Sequence, residues 1–451
     1  MSTGSRASSA VSLTETAPRR QRVLVVAYYF PPMGLSGVQR TAKFVKYLPD
    51  HGWDPVVLTV EPGGYFAFDQ QLLQELEERG IPVHRTRSWD PTRLFGSKKS
   101  VALPDEQKRQ ALSSLSQWLF VPDNKIGWLP FALRAGSRLI RAGQFDAILS
   151  TAPPYSGHLI AARLARKHRL PLVLDYRDDW VGNPRHHYPT AFHKWLHRRM
   201  ESYASHSAEA IVCINSAISE SQRSRGAAPH VVIPQGFDPE DYEATGSPRP
   251  ADGVKSVTNG KTSPRSLELL YAGVFYDKQT PVPFLEGLAR LLAEQPRLRP
   301  HFRATFVGLF PQVGRDTIIR LGLRDVVHVL PYATHREAMK MVSQADVAWL
   351  TVGAGPGQNQ ISTGKLYAYA GAGKPILGLV PQGAAARDLK AYGASWLAHP
   401  DRPEEIDRAL QTIVDLWRED LLPSPSAEFL SQHDRVYLSK KLAAVLDRVT
   451  S

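Results

Sequence analysis

Apolar runs of strand length alternate with helical patterns from Arg22 to the end of the chain. In the first half these runs are nearly continuous, which is typical of strands buried on both faces of a parallel sheet. They are RVLVVAYYF at 22–30, PVVLTV at 55–60, DAILST at 146–151, PLVLDY at 171–176 and EAIVCI at 209–214. Because helical segments lie between them, the pattern predicts a βαβα domain with helices on both faces of the sheet.

The alternation stops over residues 238–266, which are rich in Pro, Gly, Ser, Asp and Lys and have no apolar period. This composition predicts a linker or long loop. The strand pattern then resumes with LELLYAG at 267–273, FRATFVG at 302–308, VVHVL at 326–330, DVAWLTV at 346–352 and PILGLV at 375–380. We therefore predict two doubly wound α/β domains, at 21–237 and 267–430. Residues 431–451 are predicted as a helix that packs back on the first domain.

Length and charge narrow the choice of partners. A chain of 451 residues with 43% hydrophobic content can build two domains with separate cores. The net charge of +12 favours anionic partners such as nucleotides, phosphosugars or lipid head groups. Basic clusters such as LFGSKKS lack interleaved aromatic residues and match no nucleic-acid-binding motif, so we predict no nucleic-acid partner.

The N-terminal stretch and the cysteine content bear on location. Residues 1–20 lack an apolar core, so we predict a disordered tail and no signal peptide. No run of about 18 apolar residues exists, so no transmembrane helix is predicted. The single cysteine, Cys213, lies in an apolar run and is predicted to be a small buried side chain. A chain that cannot form an internal disulfide fits the reducing cytoplasm.

The loop after the first predicted strand is a candidate site, because ligands of open α/β sheets bind beyond the carboxyl ends of the strands. In PPMGLSGVQR, Gly34 and Gly37 would let the backbone approach a phosphate at the start of the next helix. A tight turn without a ligand explains the same residues. Arg40 lies one turn inside that helix and either faces the cleft or is solvated.

Charged residues crowd the end of a later strand in VLDYRDDW. Asp175, Arg177, Asp178 and Asp179 fit a structural network as well as a substrate-binding site. The spacing is not Asp-x-Asp, and we therefore predict no divalent metal ion here. His186 and His187 are adjacent in a loop and are not spaced as zinc ligands on a helix, so zinc is not predicted either.

The stretch AFHKWLHRRMESYA at 191–204 predicts a basic amphipathic helix that carries Phe192 and Trp195. Two interpretations are open. This is a surface helix packed on the protein core, with Phe192, Trp195, Leu196 and Met200 near one face, or it contacts an anionic membrane surface.

The second half contains residue types that bind phosphates. Gly273 ends a predicted strand and Lys278 follows in the loop, where a lysine can reach a diphosphate as a mobile point charge. A solvated loop cation is the alternative. In STGKLYAYAGAGKPILGLVP, Ser362 or Thr363 can cap a helix whose first N–H groups, with Lys365, form an anion site.

Six segments, taken in order, resemble the glycosyltransferase family 4 proteins of the GT-B fold: AYYFPPMGLSGVQRTAKFVKYL, STAPPYSGHLIAARLA, LPLVLDYRDDW, VIPQGFD, LLYAGVFYDKQTP and STGKLYAYAGAGKPILGL. The resemblance implies two Rossmann-like domains that face each other across a cleft. It implies a sugar nucleotide held chiefly by the C-terminal domain, an acceptor on the N-terminal domain, and transfer with retention and without a metal ion.

The resemblance implies roles for some residues, and the others are assigned from their place at the ends of predicted strands. Catalysis is expected from Lys278, Arg177 and Asp178, and the acceptor and phosphate loop from Gly34, Gly37 and Arg40. The residues expected to bind the donor are Gly273, Lys278, Gln360, Ser362, Thr363, Gly364, Lys365 and Ala368.

The sequence departs from the family at its acidic positions. Where the family often carries two glutamates with seven residues between them, this chain has Gln360 and Ala368. Arg177 stands where many relatives carry a histidine, and Gln235 replaces the asparagine of the usual PNG. A hydrogen bond to a charged group contributes about 1.5–3 kcal/mol, so we expect a weakened nucleotide grip with the diphosphate contacts retained.

We therefore predict a retaining glycosyltransferase that moves a sugar from a nucleoside-diphosphate sugar to an acceptor hydroxyl. The acceptor is predicted to be a saccharide, a lipid-linked saccharide or a small natural product, and the location to be cytoplasmic or peripheral at the inner membrane surface. Two alternatives are a degenerate protein that binds a sugar nucleotide or a partner without transfer, and an epimerase or hydrolase of the same fold. The latter would use Asp175, Asp178 or Asp179 as its base.

Overall fold

The computed structural model describes residues 19–34, 36–63, 68–94, 115–183, 186–225, 228–243, 266–275 and 279–451. Nearly all of the predicted tail and most of the predicted linker lie outside the described residues, and so does Lys278.

Two parallel sheets organise the chain. The strands of the first are β1 (Gln21–Val26), β2 (Trp53–Val60), β3 (Val83–Thr86), β4 (Ala147–Ala152), β5 (Leu172–Tyr176), β6 (Ala210–Cys213) and β7 (His230–Val232). Those of the second are β8 (Leu267–Ala272), β9 (Phe302–Val307), β10 (Val327–Leu330), β11 (Val347–Thr351), β12 (Ile376–Leu379) and β13 (Ser395–Ala398). Their orders are β3-β2-β1-β4-β5-β6-β7 and β10-β9-β8-β11-β12-β13. Every adjacent pair is parallel. The predicted pair of Rossmann-like sheets is confirmed.

Helices cover both faces of the sheets. Those up to the crossing between the sheets are α1 (Ser36–Tyr47), α2 (Gln70–Glu78), α3 (Pro91–Leu94), α4 (Leu129–Ala142), α5 (Ser156–His168), α6 (Ala191–Ser205), α7 (Ser216–Arg223) and α8 (Glu240–Glu243). Those that follow are α9 (Val282–Glu294), α10 (Gln312–Arg320), α11 (His335–Gln344), α12 (Gly364–Gly371), α13 (Ala384–Tyr392), α14 (Pro403–Arg418), α15 (Ala427–Gln432) and α16 (Arg435–Thr450). Within the described ranges, no helix is long and apolar enough to cross a membrane.

The continuous apolar runs are explained by burial on both faces of the sheet. In β1, Leu24 and Val26 belong to the core cluster beneath α4 and α5, whereas Val23 and Val25 belong to the opposite cluster with α1 and α16. The strands that the sequence pattern missed, β3, β7 and β13, lie at the edges of the sheets and are only partly buried. An edge strand has one neighbour and tolerates polar residues, so it lacks the apolar signal.

The chain crosses between the domains twice, and the two crossings run side by side. After β7, Phe237 and Tyr242 pack into the core of the second domain. After α15, the chain returns and Leu438 and Leu442 of α16 pack into the core of the first domain. Phe237 and Asp434 form a parallel bridge between the crossings, which together make the floor of the interdomain cleft.

Two local predictions concern side chains of the first domain. Cys213 on β6 is fully buried, and burial raises the pKa of its thiol to about 12.

On α6, His197, Glu201 and Ala204 are buried. The aromatic residues of that helix lie elsewhere: Phe192 is 63% and Trp195 53% exposed. The helix therefore packs on the core, in agreement with one of the two interpretations offered by the sequence, and Met200 takes part in that contact. Phe192 and Trp195, which were expected on the same face, do not.

Candidate functional site

A cavity of about 520 Å³ lies between the carboxyl ends of the two sheets, above the paired crossings. Most of the residues singled out from the sequence border it. They are Gly37, Arg177, Asp178, Gly273, Gln360, Ser362, Thr363, Gly364, Lys365 and Ala368. Ligands of open α/β sheets usually bind at this position, beyond the carboxyl ends of the strands. Loops and the first turns of helices meet there, and their backbone groups are unpaired.

Backbone forms much of the cavity wall in the second domain. Gly273 follows β8 with φ +134°, and its amide donates to the carbonyl of Val307 at 2.8 Å. A Cβ atom at Gly273 would lie 2.5 Å from Cε of Lys365, so the lysine side chain lies directly over the glycine. The Lys365 ammonium donates to the carbonyl of Val274 at 3.2 Å and lies 5.2 Å from the centre of the Tyr271 ring. The glycine therefore makes room for the lysine at the cavity edge.

The start of α12 forms the neighbouring part of this wall. Thr363 caps the helix, and its hydroxyl accepts from the amide of Lys365 at 3.4 Å. Ser362 and Tyr367 both donate to the carboxylate of Asp388, at 3.0 and 2.8 Å. Ser362 therefore anchors the loop, and Thr363 is the cap. The first amides of a helix have no preceding carbonyl to bind, so they give this edge of the cavity a partial positive charge.

The two positions where the family has glutamates contact other parts of the protein through their backbone. The carbonyl of Gln360 accepts from Nδ2 of Asn215 in the first domain at 2.9 Å. The carbonyl of Ala368 accepts from the hydroxyl of Tyr242 on the crossing at 2.6 Å. The side chains of Gln360 and Ala368 border the cavity, one as a neutral amide and the other as a methyl group.

Arg177 dominates the wall of the first domain. It follows β5, is 7% exposed, and its Nε donates to the carbonyl of Ala152 at 3.3 Å. Its two terminal nitrogens donate to the carbonyls of Gly37 and Pro153. Burial lowers the pKa of Arg177, and the nearby carboxylate of Asp178 opposes that shift. The guanidinium thus fastens the Gly37 turn to the loop after β4 and places a positive charge at the cavity.

The two acidic residues after Arg177 differ in their surroundings. Asp179 accepts hydrogen bonds from Ser221 at 2.5 Å and Gln222 at 2.7 Å, and it pairs with Arg225. Asp178 is half-buried at the cavity, and among the described residues nothing binds its carboxylate. Of these two acids, Asp178 is the one available to a ligand.

Arg40 does not border the cavity, and neither does Gly34. The Arg40 guanidinium is fully buried and pairs with Asp175 at 2.8 Å. It also donates to the carbonyls of Ile233 and Pro234, at 2.9 and 2.7 Å. The prediction that Arg40 faces the cleft or solvent is wrong, because its remaining donors bind inside the protein, where a buried charge must be paired. Asp175, its partner, is likewise structural.

Sequence patterns missed a charged cluster at the domain boundary. Lys43 of α1 binds three carboxylates, those of Asp238 at 2.6 Å, Glu75 at 2.8 Å and Asp241 at 2.9 Å. Nε2 of His335, on the second domain, lies 3.2 Å from Asp241. Burial disfavours the charged form of His335, but the hydrogen bond and charge of Asp241 outweigh it and raise the histidine pKa.

The three carboxylates of this cluster lie close enough together to hold a metal ion. Lys43 and Lys46 both pair with Asp238 and Glu75, so lysine ammonium groups already neutralise the acids. No spacing rule could find the cluster, since Asp238 and Asp241 lie in the stretch whose composition indicated a linker.

Arg435, the first residue of α16, was also missed. It is 3% exposed and borders the cavity from the crossing of the chain. Its Nη2 donates to Oε1 of Gln235 at 2.9 Å, and its Nη1 has no hydrogen-bond partner in the part of the chain that the structure describes. The sequence predicted that this helix packs back on the first domain but held no signal that its first residue meets the cavity.

Comparisons with known proteins agree with this architecture. Residues 36–236 match the family model of the glycosyl transferase 4-like domain. The fold is similar to that of HepE from Anabaena in complex with UDP-glucose, at 17% identity and a TM-score of 0.58, over 95% of this chain and 99% of that one. A glycosyltransferase from Rickettsia africae has 11% identity and a TM-score of 0.62, over 96% and 99%.

A UDP-forming α,α-trehalose-phosphate synthase from Burkholderia xenovorans gives 12% identity and a TM-score of 0.60, over 96% of this chain and 100% of that one. No curated protein matches the sequence. Identities this low show the fold alone. The match of residues 36–236 to the domain model confirms the resemblance to glycosyltransferase family 4. The solved structures and the two parallel sheets show that the chain as a whole has the two-domain GT-B fold.

Proposed function

We propose that this protein is a glycosyltransferase that moves a sugar from a nucleoside-diphosphate sugar to an acceptor hydroxyl, with retention and without a metal ion. The observation that carries the proposal is the interdomain cavity. The start of α12, Gly273 and Lys365 border it from the second domain, and Arg177 and Asp178 border it from the first. The UDP-glucose named for the HepE complex supports a nucleotide sugar as the donor.

The second-domain wall suits a diphosphate. The N-terminus of a helix attracts anions through its unpaired amides and its dipole. Lys365 adds a full charge beside Gly273. Donors held in place before the reaction stabilise the charge that develops on the leaving diphosphate. Lys278 comes shortly after Gly273 in the sequence and lies outside the described residues. Its role as a further cation on the diphosphate stays a prediction.

The first-domain wall suits the acceptor. Asp178 can accept a hydrogen bond from the acceptor hydroxyl because nothing in the described protein binds its carboxylate. Arg177 fixes the Gly37 turn beside it. These groups would act by positioning the acceptor against the donor sugar, and the leaving phosphate would take the acceptor proton.

A non-catalytic sugar-nucleotide-binding protein is the second candidate, and Gln360 and Ala368 favour it. The amide of Gln360 can still bind a sugar hydroxyl, whereas the methyl group of Ala368 offers no polar contact. Loss of one charged hydrogen bond weakens binding by about 10- to 150-fold. The contacts to the diphosphate do not depend on that hydrogen bond and would remain.

The test is calorimetric titration with UDP-, GDP- and TDP-sugars, joined to an assay for nucleoside diphosphate release with a panel of acceptors. The variant Lys365→Met should weaken sugar-nucleotide binding by about ten-fold or more, because a charge-assisted contact is lost. Exposed Lys390, on α13, gives the matched control Lys390→Met, which should change nothing.

The outcomes separate the candidates. Release that depends on the acceptor supports the transferase. Release without any acceptor indicates a hydrolase, and binding without release across the panel supports the non-catalytic candidate. A wild-type protein that binds no sugar nucleotide would refute the transferase and the non-catalytic binder together.

We further propose that α6 contacts an anionic membrane surface at the cytoplasmic side. Phe192 and Trp195 stack with ring centres 5.7 Å apart on the exposed side of this helix. Lys194, Arg198 and Arg199 belong to the same helix and would face acidic lipid head groups. Vesicles with anionic lipid should float the protein at low salt, and Phe192→Ser with Trp195→Ser should abolish this. Equal flotation of the double variant would contradict the contact.

A further inference from the structure

The positive charges at the cavity differ in what holds them. Lys43 binds three carboxylates, and His335 binds Asp241. Arg177 donates to three backbone carbonyls through all of its nitrogens. Among the described residues, Arg435 has one side-chain hydrogen bond, to the neutral amide of Gln235, and its Nη1 has no acceptor. Within the described part of the chain, no carboxylate pairs with it.

Carboxylates near Arg435 are already engaged. Asp175 and Asp238 act on its charge through space, but Asp175 pairs with Arg40, and Asp238 pairs with Lys43 and Lys46. Burial and the charge of Arg40 lower the pKa of Arg435 to about 9. A buried donor without an acceptor is costly, and a buried cation more so, so an incoming anion would relieve an existing penalty.

Arg435 and Lys365 lie against different parts of the cleft. The contacts of Lys365 shown above, with Val274 and Tyr271, are in the second domain. Those of Arg435 are with Gln235 on the crossing and with Phe44 of α1, whose ring centre lies 5.7 Å from the guanidinium carbon. Arg40 lies 4.7 Å from the same ring. The cleft thus has one cationic region in the second domain, at Lys365, and another on its floor, at Arg435.

We infer that the acceptor carries an acidic group, a phosphate or a carboxylate, and that Arg435 binds it at the floor of the cleft. Gln235 positions the guanidinium through Nη2 and leaves Nη1 for the acid. Ala368 adds no carboxylate to this cavity, so the acidic group has no fixed negative charge from that position to compete with. The inference rests on the proposed transferase function and names the class of its acceptor.

Two sources could supply the acid: a water-soluble acidic saccharide or a lipid-linked phosphate. The soluble arm titrates UDP-loaded protein with glucose, glucose 6-phosphate and glucuronate. The lipid arm floats UDP-loaded protein with phosphatidylcholine vesicles that contain or lack polyprenyl phosphate. Both arms compare wild type with Arg435→Gln, Arg435→Lys and the control Arg290→Gln. Arg290 is a partly exposed arginine of α9 that pairs with Asp407.

We expect at least one acidic probe to bind the wild type about ten-fold or more tightly than its neutral counterpart. Arg435→Gln should remove that preference and leave the UDP affinity unchanged. Arg435→Lys, which keeps the charge without the fork of donors, should retain part of it, and Arg290→Gln should retain all of it. Thermal unfolding of each variant shows that the loss is not a loss of fold.

A preference in the soluble arm that Arg435→Gln removes identifies a free acidic saccharide, and a preference in the lipid arm alone that Arg435→Gln removes identifies a lipid-linked phosphate. A preference that Arg435→Gln keeps overturns the inference, because another surface, such as that of α6, then causes it. Absence of both preferences in the wild type overturns the inference while UDP binding still stands. Equal weakening of UDP, glucose and the acids by Arg435→Gln also overturns it, since Arg435 would then only shape the floor. If UDP itself fails to bind, the proposed function fails, and the same titrations without UDP decide whether Arg435 binds an acid.

Discussion

The two walls of the cleft are built by different means. In the first domain the wall rests on side-chain charges that bind one another or bind carbonyls, as Arg40 binds Asp175 and Arg177 binds the Gly37 turn. In the second domain it rests on backbone, with Gly273 at a positive φ and the open start of α12. A wall of paired charges holds its shape, and removing one partner is costly. A wall of exposed amides contributes less to the stability of its domain, but it lets a phosphate approach the backbone.

The largest effect is expected in the first wall, for Arg40→Met. This change leaves the Asp175 carboxylate buried without its main partner, and breaking a buried pair costs about 3–5 kcal/mol. Burial opposes the charge of Asp175, but Arg40 outweighs it and keeps the pKa of the carboxyl below its usual range. Urea unfolding measures the loss.

The double variant Arg40→Met with Asp175→Leu is the control, because it removes both charges and should recover much of the stability. If the free energy of unfolding of the single variant fell by less than about 1 kcal/mol, the Arg40–Asp175 pair would not be a main source of stability in the first wall.

The next effect belongs to the second wall, for Gly273→Ala. A non-glycine residue at φ +134° is strained by about 1–3 kcal/mol, and the new methyl group would displace the Lys365 side chain. We expect sugar-nucleotide affinity to fall, as measured by calorimetry. Gly322→Ala is matched, since φ there is +64° and nothing lies within 4 Å of the added carbon. Equal losses of affinity in both variants would contradict a specific role for Gly273.

A moderate effect is expected for Asp178→Asn, which removes a carboxylate that no described protein group binds by a hydrogen bond. Turnover should fall by about 10- to 150-fold, through loss of a charged hydrogen bond to the acceptor, with little change in melting temperature. Asp179→Asn should do the reverse and lower stability, because Asp179 holds Ser221, Gln222 and Arg225. Steady-state kinetics and thermal melts of both variants decide the point. Unchanged turnover in Asp178→Asn would exclude it from the reaction.

The smallest effect concerns the contact between the walls. Asp241 raises the pKa of His335, so the contribution of the charged histidine to the stability of the folded protein is fully present below its unfolded pKa of about 6.5. That contribution is lost as the pH rises through the higher folded value. The melting temperature should therefore decline above neutral pH in the wild type, and the decline should be shallower in His335→Gln. Identical pH profiles would show that the contact contributes nothing.

Much of the fold could be predicted because its signals are local. The interior strands show unbroken apolar runs, as in β1 and β4, whose residues are almost entirely buried. The rule that ligands bind beyond strand ends then led to Arg177, Asp178 and Gly273 at the cavity. It could not separate Asp178 from Asp179, because the partners that engage only Asp179 come from α7, over 40 residues away in the chain.

The sequence by itself determined where the chain forms buried strands, where helices can start, and which residues follow the strands, since hydrophobic period and capping act over a few neighbours. Only the tertiary structure decided which charges are paired. Arg40 and Arg435 flank the same ring of Phe44, yet Arg40 pairs with Asp175, whereas Arg435 pairs with no carboxylate of the described residues and its side chain donates to Gln235. Pairing of a buried charge depends on groups brought together from distant segments, and that arrangement leaves Arg435 available for an acid.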